Sequence, residues 1–337
     1  MTQTLPKAAT RVGWVDVAKG AAITLVVLHH SILFLEAVGF PMGPITQANN
    51  VLVTIRMPLF FLASGLFAWS PVSGTWRGLW SRKISLLLWV YVVWSVIRFL
   101  FFSVVPWPLP ENDAGTWSRL ASIFVLPSGG LWFVYALAIF FVIARATRAI
   151  SPWILLSVSG VLSALVGAGL LTTGVYEWDN MGMYLVFFLA GCHLRSSIVD
   201  LVGRFTLPRC ATIVVLFVVA SVVSYRWDLQ DVPGVRLAVS VIGVTGALVV
   251  ARYVSGSRAG ELLKYLGRNT LPIYLVHYLF IAAVATALPE FGGGSIVISG
   301  VLTLSVTACA IAVSLAVYRV TKGVPGLYDA PAWLSGR

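Results

Sequence analysis

Ten stretches of this chain are long, apolar and nearly free of charge. They span residues 14–36, 51–69, 84–105, 131–149, 153–171, 181–195, 211–226, 235–252, 271–288 and 296–318. A bilayer core about 30 Å thick takes about 20 such residues as a helix. Backbone groups in lipid must be hydrogen-bonded internally, so only helices and closed barrels can span it. The runs are continuous in Val, Ile, Leu and Phe rather than alternating in ten-residue pieces, which excludes a barrel. The expected fold is an all-α integral membrane protein of about ten transmembrane helices. Composition agrees: 59% of the 337 residues are hydrophobic, 10% are charged and the mean hydropathy is +0.92. A soluble core of this size cannot hide that much apolar surface. A soluble enzyme, a disordered chain and a fibrous protein are therefore excluded.

The net charge of +11 would suit nucleic acid, but its distribution argues against that partner. With the N-terminus placed in the cytoplasm, 17 of the 23 Lys and Arg residues fall in inside segments: Lys7, Arg11, Arg77, Arg82, Lys83, Arg145, Arg148, Arg195, Arg204, Arg209, Arg252, Arg258, Lys264, Arg268, Arg319, Lys322 and Arg337. Arg119, Arg226 and Arg236 fall outside, and Lys19, Arg56 and Arg98 lie within spans. The basic residues thus read as a positive-inside signal that places both termini in the cytoplasm. Most acids lie on the other side: Glu36, Glu111, Asp113, Glu177, Asp179, Asp228, Asp231 and Glu290. The chain divides into a cytoplasmic segment 1–13, a membrane domain 14–318 and a cytoplasmic tail 319–337. Residues 1–13 resemble a signal-peptide start, but no A-x-A-like site follows the first apolar run, so it is read as an uncleaved span. The longest loop, 106–130, is rich in Pro and Gly, and no internal repeat is visible. Cys192, Cys210 and Cys309 form no CxxC pair, and no metal site is expected.

An ionisable side chain inside a span costs about 2.5–3.5 kcal/mol on insertion scales, so each one needs a reason. The first span holds Asp16, Lys19, His29 and His30. Asp16 and Lys19 are one turn apart and can pair. Lys19 and His30, eleven residues apart, share one face about 16 Å apart, while His29 is rotated about 100° from His30. That face carries a cation near the cytoplasmic surface and an imidazole at depth. A buried imidazole is suited to deprotonating a hydroxyl, and equally to bonding a neighbouring helix.

The second span carries Arg56 two residues before Pro58, then Ser64-Gly65. Proline frees helix carbonyls, which is tolerated beside a cavity. Ser64-Gly65 permits close helix approach. Arg82-Lys83 at the inner surface reads either as a topology anchor or as a grip on the phosphates of a cytosolic donor. The fourth span opens Gly129-Gly130-Leu131-Trp132-Phe133. The ninth opens Leu266-Gly267-Arg268-Asn269-Thr270-Leu271-Pro272-Ile273-Tyr274 and reaches His277. Thr270 before Pro272 looks like a helix start. Tyr274 and His277 are one turn apart and can line one cavity.

Taken together, Asp16-x-x-Lys19-Gly20 with His30, Met57-Pro58-Leu59-Phe60-Phe61 with Ser64-Gly65, Leu131-Trp132-Phe133, and Leu266-Gly267 through Tyr274 and His277 resemble the motifs of the membrane acyltransferase family 3. Its members are bacterial O-acyltransferases of cell-envelope glycans. Arg82-Lys83 followed by Tyr91 is a looser likeness, and His29 stands where relatives often carry glycine. The resemblance implies a ten-helix core in the bacterial plasma (inner) membrane. It implies acyl transfer, acetyl by default, from cytosolic acyl-CoA to a hydroxyl of a glycan or glycolipid acceptor at the outer face. Acyl-CoA is a co-substrate here, and no bound cofactor is expected. His30 is the expected base, grouped with Lys19, Asp16 and Arg56. Arg82, Lys83 and Trp132 are candidates for the donor, and Ser64, Arg98, Tyr274 and His277 for the substrate cavity. Arg56 or Arg98 is placed to hold an oxyanion. The competing reading is a transporter or flippase of a polar envelope lipid or sugar, which also uses buried charges and a broken helix. A channel or scaffold is the third. The small size leans the acceptor toward a glycolipid, such as a trehalose mycolate, delivered within the membrane lipid.

Overall fold

Each of the ten apolar stretches forms a helix in a computed structural model that describes residues 13–107, 109, 115–127, 129–288 and 294–335. Segment 1–12 with Lys7 and Arg11, the loop acids Glu111, Asp113 and Glu290, and Arg337 lie outside the described residues. Among the described residues there is no strand. The chain opens with α1 (Gly13–Ala37) and α2 (Gly43–Gly65). Two short helices, α3 (Trp69–Ser73) and α4 (Trp76–Leu79), lead through a π-helical turn at Trp80–Ile84 into α5 (Ser85–Phe102). There follow α6 (Trp117–Ala121), α7 (Trp132–Ala146), α8 (Pro152–Gly167), α9 (Tyr176–His193), α10 (Arg195–Arg204), α11 (Leu207–Arg226) and α12 (Val235–Val254). The chain ends with α13 (Arg258–Arg268), α14 (Thr270–Ala287), α15 (Ile296–Thr321) and α16 (Ala332–Ser335).

Six of these are long and apolar enough to cross a bilayer: α1, the continuous run Trp76–Phe102, α11, α12, α14 and α15. A seventh arises if α9 and α10, bent by 84°, count as one span. The sequence reading of ten rests on three further segments. α7 and α8 are apolar but have only 15 and 16 residues. α2 has 23 residues but carries Gln47, Asn49, Asn50, Thr54 and Arg56 among its apolar ones. It also starts eight residues before the apolar run at 51, because those polar residues are helical too. α14 begins at Thr270, where the sequence reads a helix start, with Asn269 in the cap position before it.

α1 sits at the centre, packed against α2, α12, α13, α14 and α15. Two crossings are backbone-to-backbone. A Cβ on Gly20 would fall onto the Leu263 carbonyl, and one on Gly267 onto the Asp16 carbonyl, so α1 and α13 touch without side chains between them. The same holds where Gly65 of α2 meets the Phe188 carbonyl of α9 and Gly191 meets that of Leu62. Small residues allow such approach, and dispersion and weak hydrogen bonds then hold the helices. α11 lies outermost, with most of its valines exposed.

Several arginines close helix ends. Arg195 donates to the Leu66 carbonyl (3.0 Å), Arg145 to that of Val72 (3.3 Å), and Arg252 to those of Val202 and Phe205 (2.9 and 3.1 Å). These carbonyls lie in the last helical turn or just beyond it, where no later N–H of the helix reaches them. Beyond α15 the tail folds back along α5. The indoles of Trp89, Trp94 and Trp80 donate to the carbonyls of Gly326 (2.7 Å), Leu327 (2.8 Å) and Leu334 (3.0 Å).

Candidate active site

Three imidazoles meet midway along the helices. His277, on the second turn of α14, is fully buried. Its Nδ1 lies 2.8 Å from the Ile273 carbonyl and its Nε2 lies 3.0 Å from His30 Nδ1. A carbonyl only accepts, so His277 Nδ1 carries the proton. In a neutral ring Nε2 then carries a lone pair. His30 must therefore donate from Nδ1, which leaves the lone pair on His30 Nε2.

His29 has the opposite polarity. Arg56 Nη1 donates to Asn49 Oδ1 (3.1 Å), and a guanidinium can only donate, so the Asn49 amide orientation is fixed. Asn49 Nδ2 then donates to His29 Nδ1 (2.9 Å). A neutral His29 therefore carries its proton on Nε2. Asn49 and Arg56 are seven residues apart on α2, two turns along one face, and both are buried.

Both histidines border a cavity of about 350 Å³. Arg56, Trp132, Tyr176, Asn180, Tyr184, Tyr274 and Tyr278 also line it. The middle of α2, the N-terminal half of α9 and the first turn of α7 supply one wall, and α1 and α14 the other. Tyr274 is fixed by its hydroxyl, which accepts from the Phe133 backbone N–H at 3.2 Å. The Tyr278 ring stands edge-on to His30, with centroids 4.9 Å apart. Behind Tyr278 the buried Arg98 guanidinium lies 4.5 Å from that ring, 4.9 Å from Trp107 and 5.2 Å from Phe102. Gly130 makes room for it, since a Cβ there would strike Arg98 Nη1.

Of the residues singled out in the sequence, His30, Arg56, Trp132 and Tyr274 line the cavity, and His277 and Arg98 stand directly behind its wall. The others lie elsewhere. Ser64 donates back to the Phe60 carbonyl (2.8 Å), two turns below Arg56. Asp16 takes Arg268 of α13 as an ion partner at 3.4 Å, and Lys19 sits three turns from His30 on α1. Arg82 is exposed and Lys83 half-buried on the π-helical turn, far along α5 from Arg98. Asn49, Asn180, Tyr184 and Tyr278 were not singled out. Neutral side chains near the ends of apolar runs carry no insertion penalty large enough to mark them. The seven-residue spacing of Asn49 and Arg56, two turns on one helix face, is the one signal from which the pair could have been found.

A family model for an acyltransferase domain matches residues 12–319. The Inner membrane protein YcfT of Escherichia coli (strain K12) is 24% identical over 289 residues, which cover 80% of this chain and 79% of that protein. No solved structure matches. With its several apolar spans, the chain is a multi-pass inner membrane protein. The matched region takes in both glycine crossings and all three imidazoles, and the chain belongs to the membrane acyltransferase family 3.

Proposed function

We propose that the protein transfers an acyl group, acetyl by default, from cytosolic acyl-CoA to a hydroxyl of an envelope glycan or glycolipid at the outer face, with His30 as general base. One observation carries this reading. The hydrogen bond from His30 to His277 leaves the His30 Nε2 lone pair without a protein partner among the described residues, beside a cavity large enough for reacting groups. General base catalysis of this kind contributes about 10²–10⁴-fold.

The reading takes the topology expected from the sequence, ten spans with both termini inside. In it α2, α7 and α9 begin at the outer surface, so the cavity they help line lies on the acceptor's side. α1 and α14 begin at the inner surface, where Arg82 and Lys83 stand ready for the donor's phosphates. The glycolipid reading of the acceptor rests on its arrival within the bilayer.

The test is transfer from labelled acetyl-CoA to an envelope extract, by purified wild type and His30→Ala side by side. Label in an extractable glycan or glycolipid with wild type alone is expected, with both proteins eluting as the same folded species. A wild type that leaves every extract unlabelled, yet moves a polar lipid across vesicles unchanged, would turn the reading to a transporter.

A further inference from the structure

We infer that His29 is a second catalytic residue of this site, an imidazole held as a hydrogen-bond donor whose Nε2–H supports the oxyanion while His30 takes the proton. The inference rests on the acyl-transfer reading above and assigns His29 a role that the reading leaves empty.

The two histidines are neighbours in sequence, and their ring centroids lie 5.1 Å apart. Their surroundings give them opposite polarity. The Ile273 carbonyl, through His277, strips the proton from His30 Nε2. The Arg56 guanidinium, through Asn49, places a proton on His29 Nε2. Neither Nε2 atom has a protein partner among the described residues, and neither is sealed from the cavity. One ring is thus an acceptor and the other a donor, side by side on one wall.

Acyl transfer to a hydroxyl needs such a pair. The hydroxyl proton passes to His30 Nε2 as the oxygen attacks the thioester carbon. The C=O π pair moves onto the carbonyl oxygen, where His29 Nε2–H meets it. The intermediate then collapses, re-forming C=O and breaking C–S, and the departing thiolate takes the proton back from His30. The attacking oxygen and the oxyanion sit on one carbon. With ring centroids 5.1 Å apart, hydrogen bonds of about 3 Å from the two rings are short enough for both to reach groups on one carbon. Arg56 and Asn49 act through His29 and are positioning residues, and Arg98 stands behind Gly130 and Tyr278.

Glutamine reproduces the donor of a Nε2–H but cannot take up a proton, so it separates the two roles. In the labelled acetyl-CoA assay, His29→Leu is expected to lower kcat by roughly 10²–10³-fold, the usual cost of one oxyanion donor. His29→Gln is expected to stay within about tenfold of wild type, since a neutral donor remains. His30→Gln is expected to be inactive. The independent readout is ¹⁵N NMR of histidine-labelled protein in bilayers, assigned with the single variants. It should show the Nε2–H tautomer at His29 and the Nδ1–H tautomer at His30 and His277. Asn49→Asp, whose carboxylate only accepts, should move the His29 proton to Nδ1 and lower kcat.

A wild type that transfers nothing sinks the acyltransferase reading and this inference with it. A wild type that transfers label while His29→Gln and His29→Leu fall equally, or while His29 carries its proton on Nδ1, sinks this inference alone.

Discussion

Each imidazole of the site is defined by what its far nitrogen touches. His277 has no exposed surface, so its role is to hold His30 in one tautomer and one orientation. His277→Leu fills much the same volume but leaves His30 Nδ1–H without a partner, while the Ile273 carbonyl keeps its helical one. Unpaired buried groups cost about 1–3 kcal/mol each. The expected outcome is a lower unfolding midpoint in detergent together with a loss of transfer, because the free His30 ring no longer presents Nε2 alone. His277→Asn, whose amide both donates and accepts, is expected to recover more of the stability than of the turnover. Gly130→Ala tests the opposite wall. Its Cβ would displace the Arg98 guanidinium. The guanidinium is the end of a flexible side chain, so the expected cost sits at the low end of the usual overpacking range of about 1–3 kcal/mol, read as a slightly lowered midpoint. Ionisable groups in apolar runs announce themselves, so His30, Arg56 and Tyr274 were legible in the sequence. The contact between His30 and His277 bridges 247 residues and appears only once α1 and α14 are packed together.

At the scale of helices, the glycines of the sequence motifs turn out to be crossing points. Gly20 belongs to the first motif and Gly267 to the last, and they hold α1 and α13 backbone to backbone. Gly267→Val is expected to unseat this contact, because the atoms it meets are backbone and cannot rotate away. The cost should exceed the usual 1–3 kcal/mol of overpacking, with the midpoint falling more than for Gly256→Val, where the space beside the glycine is open. The ten apolar runs mark the main helices because continuous apolarity is a bulk property of a span. Polar turns were missed for the same reason. α2 gains its first two turns from polar and mostly exposed residues such as Thr46, Gln47 and Asn50, and α13, with Arg258, Glu261, Lys264 and Arg268, lies outside any apolar window. The bend between α9 and α10 falls at Leu194, where no proline or glycine marks it.

For the whole molecule, the proposed reaction brings its two substrates from opposite sides, and this sets what the charges can do. The π-helical turn with Arg82 and Lys83 lies one helix length from Arg98, roughly 20 Å along α5. A cation at that distance contributes nothing to bond-making at His30, whereas it can hold a phosphate while the acyl chain reaches inward. The Arg82→Glu, Lys83→Glu double variant separates these effects. If the pair grips the donor, the variant raises the KM for acetyl-CoA more than it lowers kcat, because the lost binding is shared by ground and transition states. The KM for the acceptor should stay where it is. Rising salt should raise the wild-type donor KM toward that of the variant, since exposed charges are screened over about 8–10 Å at physiological ionic strength. Unchanged donor kinetics, with fewer molecules inserted in the membrane, would reduce the pair to topology anchors and move the search for the phosphate site to Arg77, on the preceding turn.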